Sequence, residues 1–311
     1  MRLLGILLGV LVLATSCGGK KSAVPTVYAR GLVHAAAFAY DSRGRLWVAT
    51  SGATVHRTDG VYLVAKQGAT PVKVIAHVRG PLGLVWDNGS LYVSTLDGVY
   101  RYSGFTADRF ASGTLILRSP VLGAENNNLI LAPNGRLVMG ISATCDHCTN
   151  YASPSGSIVS FNTDGSDLKI VAKHVRAAYG LVYAGGVLYA TMNQRDDLGA
   201  KTPGDLLAIV RNGQDWRFPE CYEQGGRACD GVPRPLATLD AHAAAGGVAV
   251  VGDMVIVAEW NAAKVLAVPL SGGKPTVVTT RISNPLPVIR SGAGVLVGDW
   301  ASGVVYRLSS V

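Results

Sequence analysis

One short phrase recurs six times along this chain, and a repeat of that kind constrains the architecture more than any single residue can. Apolar runs rich in β-branched and aromatic residues stand at 45–50 (RLWVAT), 90–95 (SLYVST), 136–141 (RLVMGI), 187–192 (VLYATM), 254–259 (MVIVAE) and 294–299 (GVLVGD). Most follow a polar or glycine turn such as Asn88-Gly89 or Asn134-Gly135, the sequence mark of a two-residue hairpin. A strand is predicted before each run, at 36–40, 83–86, 129–131, 180–183, 247–250 and 287–289. Another is predicted after each, at 54–58, 98–102, 157–161, 205–210, 264–269 and 303–308. Fourth strands are expected at 72–78, 114–118, 167–174, 235–239 and 274–282. Such a unit cannot bury both faces of its own small sheet, so its neighbours must stack on it. A period of roughly 40–50 residues suits blades set around an axis.

The expected fold class is therefore all-β, a six-bladed β-propeller spanning residues 26–311. The sixth repeat lacks a fourth strand, while an unclaimed strand, 26–31 (TVYARG), stands ahead of the first. Pairing the two would close the ring and hide both end edges, which an open sheet would leave exposed to aggregation. A charged fraction of 15% and 38 glycines suit buried strands joined by tight turns. No low-complexity tract divides the body, and the irregular stretch 211–234 reads as a loop insertion, a common place for function.

Residues 1–16 read as an export signal. Arg2 is a minimal positive region, 3–13 an apolar segment too short to span a bilayer, and Ala14-Thr15-Ser16 supplies small residues before Cys17. The pattern is similar to a bacterial lipoprotein signal, in which Cys17 carries the lipid and 17–25 forms a tether. That implies an extracytoplasmic chain anchored to a membrane of the cell envelope; plain secretion is the other reading. Four further cysteines suit an oxidising compartment. Cys145 and Cys148 form a C-x-x-C between strands, and Cys221 and Cys229 lie in the insertion. Redox or zinc chemistry, with His147 as an extra ligand, is the alternative. No helix start activates a thiolate here, however, and the second pair is too widely spaced for a zinc knuckle. Two local disulfides, Cys145 with Cys148 and Cys221 with Cys229, are expected.

The net charge of +8 is spread along the chain, with no basic run interleaved with aromatics, so a nucleic-acid partner is not expected. Metalloprotease, nucleophile-elbow, phosphate-loop and EF-hand motifs are missing. Polar residues do gather at 126–128 (NNN) and 193–197 (NQRDD), in loops that a propeller brings to one end of its channel.

Several longer phrases carry a resemblance: 128–138 (NLILAPNGRLV), 143–148 (ATCDHC), 161–166 (FNTDGS), 175–181 (VRAAYGL), 193–198 (NQRDDL) and 215–222 (DWRFPECY). With 241–247 (AHAAAGG) and 298–308 (GDWASGVVYRL), they resemble the glucose/sorbosone dehydrogenase family of soluble quinoproteins over repeats three to six. The resemblance implies a propeller holding pyrroloquinoline quinone (PQQ) with calcium over the channel and oxidising a sugar or aldehyde. A base takes the hydroxyl proton while hydride passes to the quinone. Carried over by position, Arg176, Asn128, Asp196 and Asp197 would bind the cofactor, and Asp205 the calcium.

The departures matter as much. The catalytic histidine of the family aligns with Ala124, its asparagine with Ala177, two polar positions with Leu206 and Ala208, and an arginine with Asn284. Glu125 is the residue left to serve as a displaced base. Two functions follow as expectations: a PQQ-type sugar dehydrogenase using Glu125, or a propeller that binds a carbohydrate or a protein without redox chemistry.

Overall fold

Four-stranded antiparallel sheets arise wherever the sequence alternates apolar runs with turns. The computed structural model describes residues 23–52, 59–149, 152–222, 227–309 and 311. The signal 1–16, Cys17 and the strand predicted at 54–58 fall outside these. Blade one is built from Ala35–Tyr40, Leu46–Thr50, Gly60–Val64 and Val72–Ile75, counted outward from the axis. Its third strand is thus Gly60–Val64, just after the predicted segment. Blade two follows with Gly83–Asp87, Ser90–Thr95, Gly98–Ser103 and Ser112–Arg118. Its first hairpin closes through Asn88 and Gly89, both at positive φ (44° and 75°), between the paired residues Asp87 and Ser90. That is the turn which the Asn-Gly pair favours.

Blade three comprises Asn126–Leu131, Leu137–Ile141, Ser157–Phe161 and Lys169–Lys173. A fifth, parallel strand, Gln214–Asp215, joins its outer edge from the long insertion. Blade four has Ala177–Ala184, Val187–Asn193, Gly204–Val210 and Ala237–Ala241. Blade five has Ala245–Val251, Met254–Glu259, Lys264–Pro269 and Thr276–Thr279. Blade six has Pro285–Ser291, Gly294–Asp299 and Val304–Leu308, and its outer strand is Thr26–Ala29 from the start of the fold. That strand runs antiparallel to Val304–Leu308, with Thr26 opposite Arg307 and Val27 opposite Tyr306.

The apolar core lies between blades. One cluster joins blades one and two around Trp47 and Leu91, and another joins two and three around Leu129 and Phe161. Further clusters fill the remaining gaps around the ring, and the last sets Tyr28, Leu32 and Phe38 against Leu296 and Val305. Full burial contributes roughly 1.5–3 kcal/mol for each large apolar side chain. Near the axis the inner strands approach so closely that side chains have no room. A Cβ on Gly83 would collide with the backbone of Leu129, and one on Gly180 with that of Gly246. Among the described residues the only helical pieces are short 3₁₀ turns, Gly199–Lys201 and Arg227–Cys229, and no helix is long and apolar enough to cross a membrane.

Candidate functional site

Each inner strand starts at the same end of the channel, so the loops leading into inner strands and those leaving second strands converge there. A cleft of about 610 Å³ opens between the loops of blades three, four and five, within the roughly 300–1,000 Å³ range of small-molecule sites. A second hollow of about 380 Å³ over the channel shares Glu125, Asn193, Ala244 and Trp260 with it, so the two form one mouth.

Arg176, just ahead of the inner strand of blade four, is the hub of the charged network. Its guanidinium reaches Asp146 at 2.9 Å and Asp196 at 3.1 Å. Asp196 accepts a further bond from His242, Nδ1 to Oδ1 at 2.9 Å, while His242 Nε2 faces the Gly199 carbonyl at 3.2 Å. Both ring nitrogens meet oxygen acceptors, and only the imidazolium can donate to both. The Gly199 carbonyl and Asp196 accordingly raise the pKa of His242. Asp196 itself donates its backbone N–H to Asp146, so blade three's loop is tied to the loops of blades four and five.

Asp205 lies underneath, 4% exposed, and accepts the backbone N–H groups of Gln194 at 2.8 Å and Ala245 at 2.9 Å. Burial pushes its pKa up to about 6 against the pull of those amides. Glu125 is exposed where it lines both hollows. Partial desolvation raises its pKa, with Arg176 opposing. Trp260 forms the wall shared by both hollows and stands edge-on to Trp300, with ring centroids 5.6 Å apart.

The residues picked out by sequence separate into groups. Arg176, Asp196, Asp205 and Glu125 line the cleft together. Asp197 is turned to Arg195, which grips it at 2.7 Å through two nitrogens and holds its pKa down to about 2. With Asp146 and His147 it forms a group whose ligand atoms lie within 4.8 Å of one another. That group does not include Asp205, the expected calcium ligand, whose two oxygens are taken by backbone amides. Asn128 lines a separate cavity of about 490 Å³ at the far end of the channel, bonded to the backbone of Leu129, away from Arg176. Ala124, the position aligned with the family histidine, is 2% exposed in the core between blades two and three.

Sequence reasoning singled out the 193–197 cluster that contains Asn193, but it passed over Asp146, His242 and Trp260. The signal for two of them was present: Asp146 sits inside the C-x-x-C, and His242 inside the 241–247 phrase. Both expected disulfides form, Cys145 with Cys148 and Cys221 with Cys229.

No family model matches the sequence, and no curated protein matches it. Solved structures do. The PQQ-bound aldose sugar dehydrogenase of Streptomyces coelicolor superposes with a TM-score of 0.76 at 15% identity, over 91% of this chain and 96% of that one. The PQQ domain of pyranose dehydrogenase from Coprinopsis cinerea, in its holo form, gives 0.74 at 13% identity, over 90% and 94%. The soluble aldose sugar dehydrogenase of Escherichia coli, in its apo form, gives 0.68 at 15% identity, over 92% and 99%. At such identities the likeness establishes the shared six-bladed fold.

Proposed function

We propose that this chain is an extracytoplasmic propeller that binds a hydroxyl-rich small molecule of the sugar class in the cleft at its channel mouth. The observation that carries the reading is the lining itself: the exposed carboxylates of Glu125 and Asp196 beside the Trp260 ring. Carboxylates accept hydrogen bonds from vicinal hydroxyls, and an indole face covers the apolar side of a pyranose. The sugar dehydrogenases that share the fold support the same ligand class. Two disulfides support an exported chain, and the small residues ahead of Cys17 support its lipidation and a membrane tether. Metabolic labelling with a radioactive fatty acid, lost in C17S, tests that part.

PQQ suits this lining poorly. It is a tricarboxylate, and the cleft offers it one guanidinium already bonded to two aspartates and one imidazolium already bonded to Asp196. Two further carboxylates, Glu125 and Asp205, would face it, and like charges oppose binding. No oxidation step is therefore derived for this chain. One observation keeps the oxidative reading in view, the raised pKa of Glu125 next to Arg176, the arrangement a displaced base would need.

Calorimetric titration with neutral aldoses tests the proposal, with saturable binding expected and loss of that binding in W260A. The absence of binding by any aldose would remove the sugar reading. Uptake of PQQ with calcium, followed by a sugar-dependent absorbance change, would restore the oxidative one.

A further inference from the structure

The mouth is chemically two-sided. Its charged groups gather in the cleft between blades three, four and five, where Arg176, Asp196, Asp205 and His242 stand. The adjoining hollow takes much of its wall from blades one, two and six, and among the described residues that line it only Glu125 is charged. The rest of that wall is mainly carbon: Leu82 and Leu96 from blade two, Leu286 and Trp300 from blade six, with Tyr179 and Trp260 at the border of the cleft.

The aromatic residues turn rings and not polar atoms to this space. Tyr179 donates its hydroxyl to the carbonyl of Ala36 at 3.2 Å, and Trp300 Nε1 donates to that of Ser51 at 2.9 Å. Trp260 Nε1 is itself buried. Leu96, by contrast, is one of the large apolar side chains that stay exposed, and it stands at the rim of the hollow. The neighbouring loop is shaped to it, since a Cβ on Gly80 would meet Leu96 Cγ at 2.8 Å. A space of about 380 Å³ so lined gains by exchanging its water for apolar surface. A second sugar ring would suit it poorly, because hydroxyls placed against leucine and ring carbon lose their hydrogen bonds to water.

We propose that the hollow is an aglycone subsite, so that the ligand of this mouth is a glycoside whose sugar ring lies in the cleft and whose short alkyl or aryl group lies in the hollow. The inference rests on the sugar reading of the cleft. Continuity commits the hollow to this occupant: Glu125, Asn193, Ala244 and Trp260 line both spaces, so a group attached to a sugar in one reaches the other.

The test is calorimetric titration of the purified protein with methyl, butyl and phenyl D-glucopyranosides, each as both anomers, and with hexane-1,2-diol as a sugar-free amphiphile. Partial burial of each added methylene predicts a gain of about threefold, so the butyl glucoside should bind about thirtyfold more tightly than the methyl one. The phenyl glucoside should also exceed the methyl one. L96S, at an exposed turn position, should cut the butyl-to-methyl ratio by about threefold; the ratio is read, not sugar binding itself. Equal affinity for the three glucosides would overturn the subsite and leave the sugar reading standing. A ratio unchanged in L96S would also overturn it, by placing the alkyl group elsewhere. Hexane-1,2-diol bound as tightly as the butyl glucoside, with no methyl glucoside bound, would overturn the glycoside and the sugar reading together. The series on the unmutated chain decides the matter even if the variant fails to fold.

Discussion

One step along the chain separates Ala124, packed in the core between blades two and three, from Glu125, which lines the cleft. That step has a measurable consequence. Placing the family histidine at its aligned position, A124H, forces a large polar ring into a full core. It should lower stability by about 1–3 kcal/mol through overpacking, with more lost through the unpaired imidazole, and create no dehydrogenase activity. A urea unfolding curve reads the first effect and a dye-reduction assay the second. The titrating residues of the cleft predict a pH dependence of stability with a definite sign. His242, Asp205 and Glu125 all have raised folded pKa values, so the folded chain holds more protons than the unfolded one. Stability then falls as pH rises. The His242 contribution is complete below its unfolded value of 6.5 and disappears as pH climbs through the raised folded value. For Asp205 the loss begins above 3.8 and is complete past about 6. These cleft groups should therefore lower the melting temperature as pH rises from about 4 through the raised pKa of His242. His242→Asn suits a backbone φ of 53°, since asparagine tolerates that region. The variant should melt below the parent at acid pH and converge with it at alkaline pH; a constant offset would mean that the imidazolium is not the source.

Loops and strands divide the labour differently, and this decides what the sequence could tell. Strands were legible because each is an apolar run bounded by its own turn chemistry, a local signal. The predicted inner strand 129–131 proved to begin at Asn126, since a register shift between Asn126 and Leu129 interrupts the alternation that marks a strand. The cleft was only partly legible. Its residues come from separate loops, and nothing local says that Asp146 and Trp260 meet Arg176 there. Asn128 shows the converse, because a matching motif placed it near the cofactor while the run of its strand carries it to the far cavity. The two disulfides serve different elements, and their removal should separate binding from stability. Cys145–Cys148 spans a sequence separation of 3 and pins the turn that presents Asp146 to Arg176. Closing so short a loop constrains the unfolded chain little. The double variant C145S/C148S should thus weaken sugar binding with a small change in melting temperature. Cys221, 5% exposed, belongs to the core cluster of blades three and four with Trp216. For C221S/C229S the order should reverse, with about 2–5 kcal/mol lost and the cleft intact. Equal effects from both pairs would show that the turn does not position the cleft.

A propeller has no single core, so its stability depends on every gap around the ring being filled. The gap between blades six and one is closed by residues distant in sequence: Tyr28, Ala29 and Leu32 pack with Phe38 and Leu46 on one side and with Leu296 and Val305 on the other. Backbone pairing of Thr26–Ala29 with Val304–Leu308 caps the outer edge of blade six. The backbone N–H of Gly68 bonds to the carbonyl of Tyr28 at 2.9 Å, and Gln67 bonds to that of Val27 at 3.1 Å, so the same segment also ties down blade one. Starting the chain at residue 33 removes Leu32, which is fully buried, together with Tyr28 and the edge strand. The expected result is a bare strand edge above an opened apolar seam, a combination that templates pairing with another chain. Light scattering should show aggregation of the shortened chain at concentrations where the parent stays monodisperse. A peptide covering residues 23–32, added during refolding, should restore solubility by supplying the missing strand, as edge addition does elsewhere. A shortened chain that remained monodisperse with an unchanged melting temperature would show that the ring closes without this strand. In that case the packing of blades one and six alone would hold the mouth in shape.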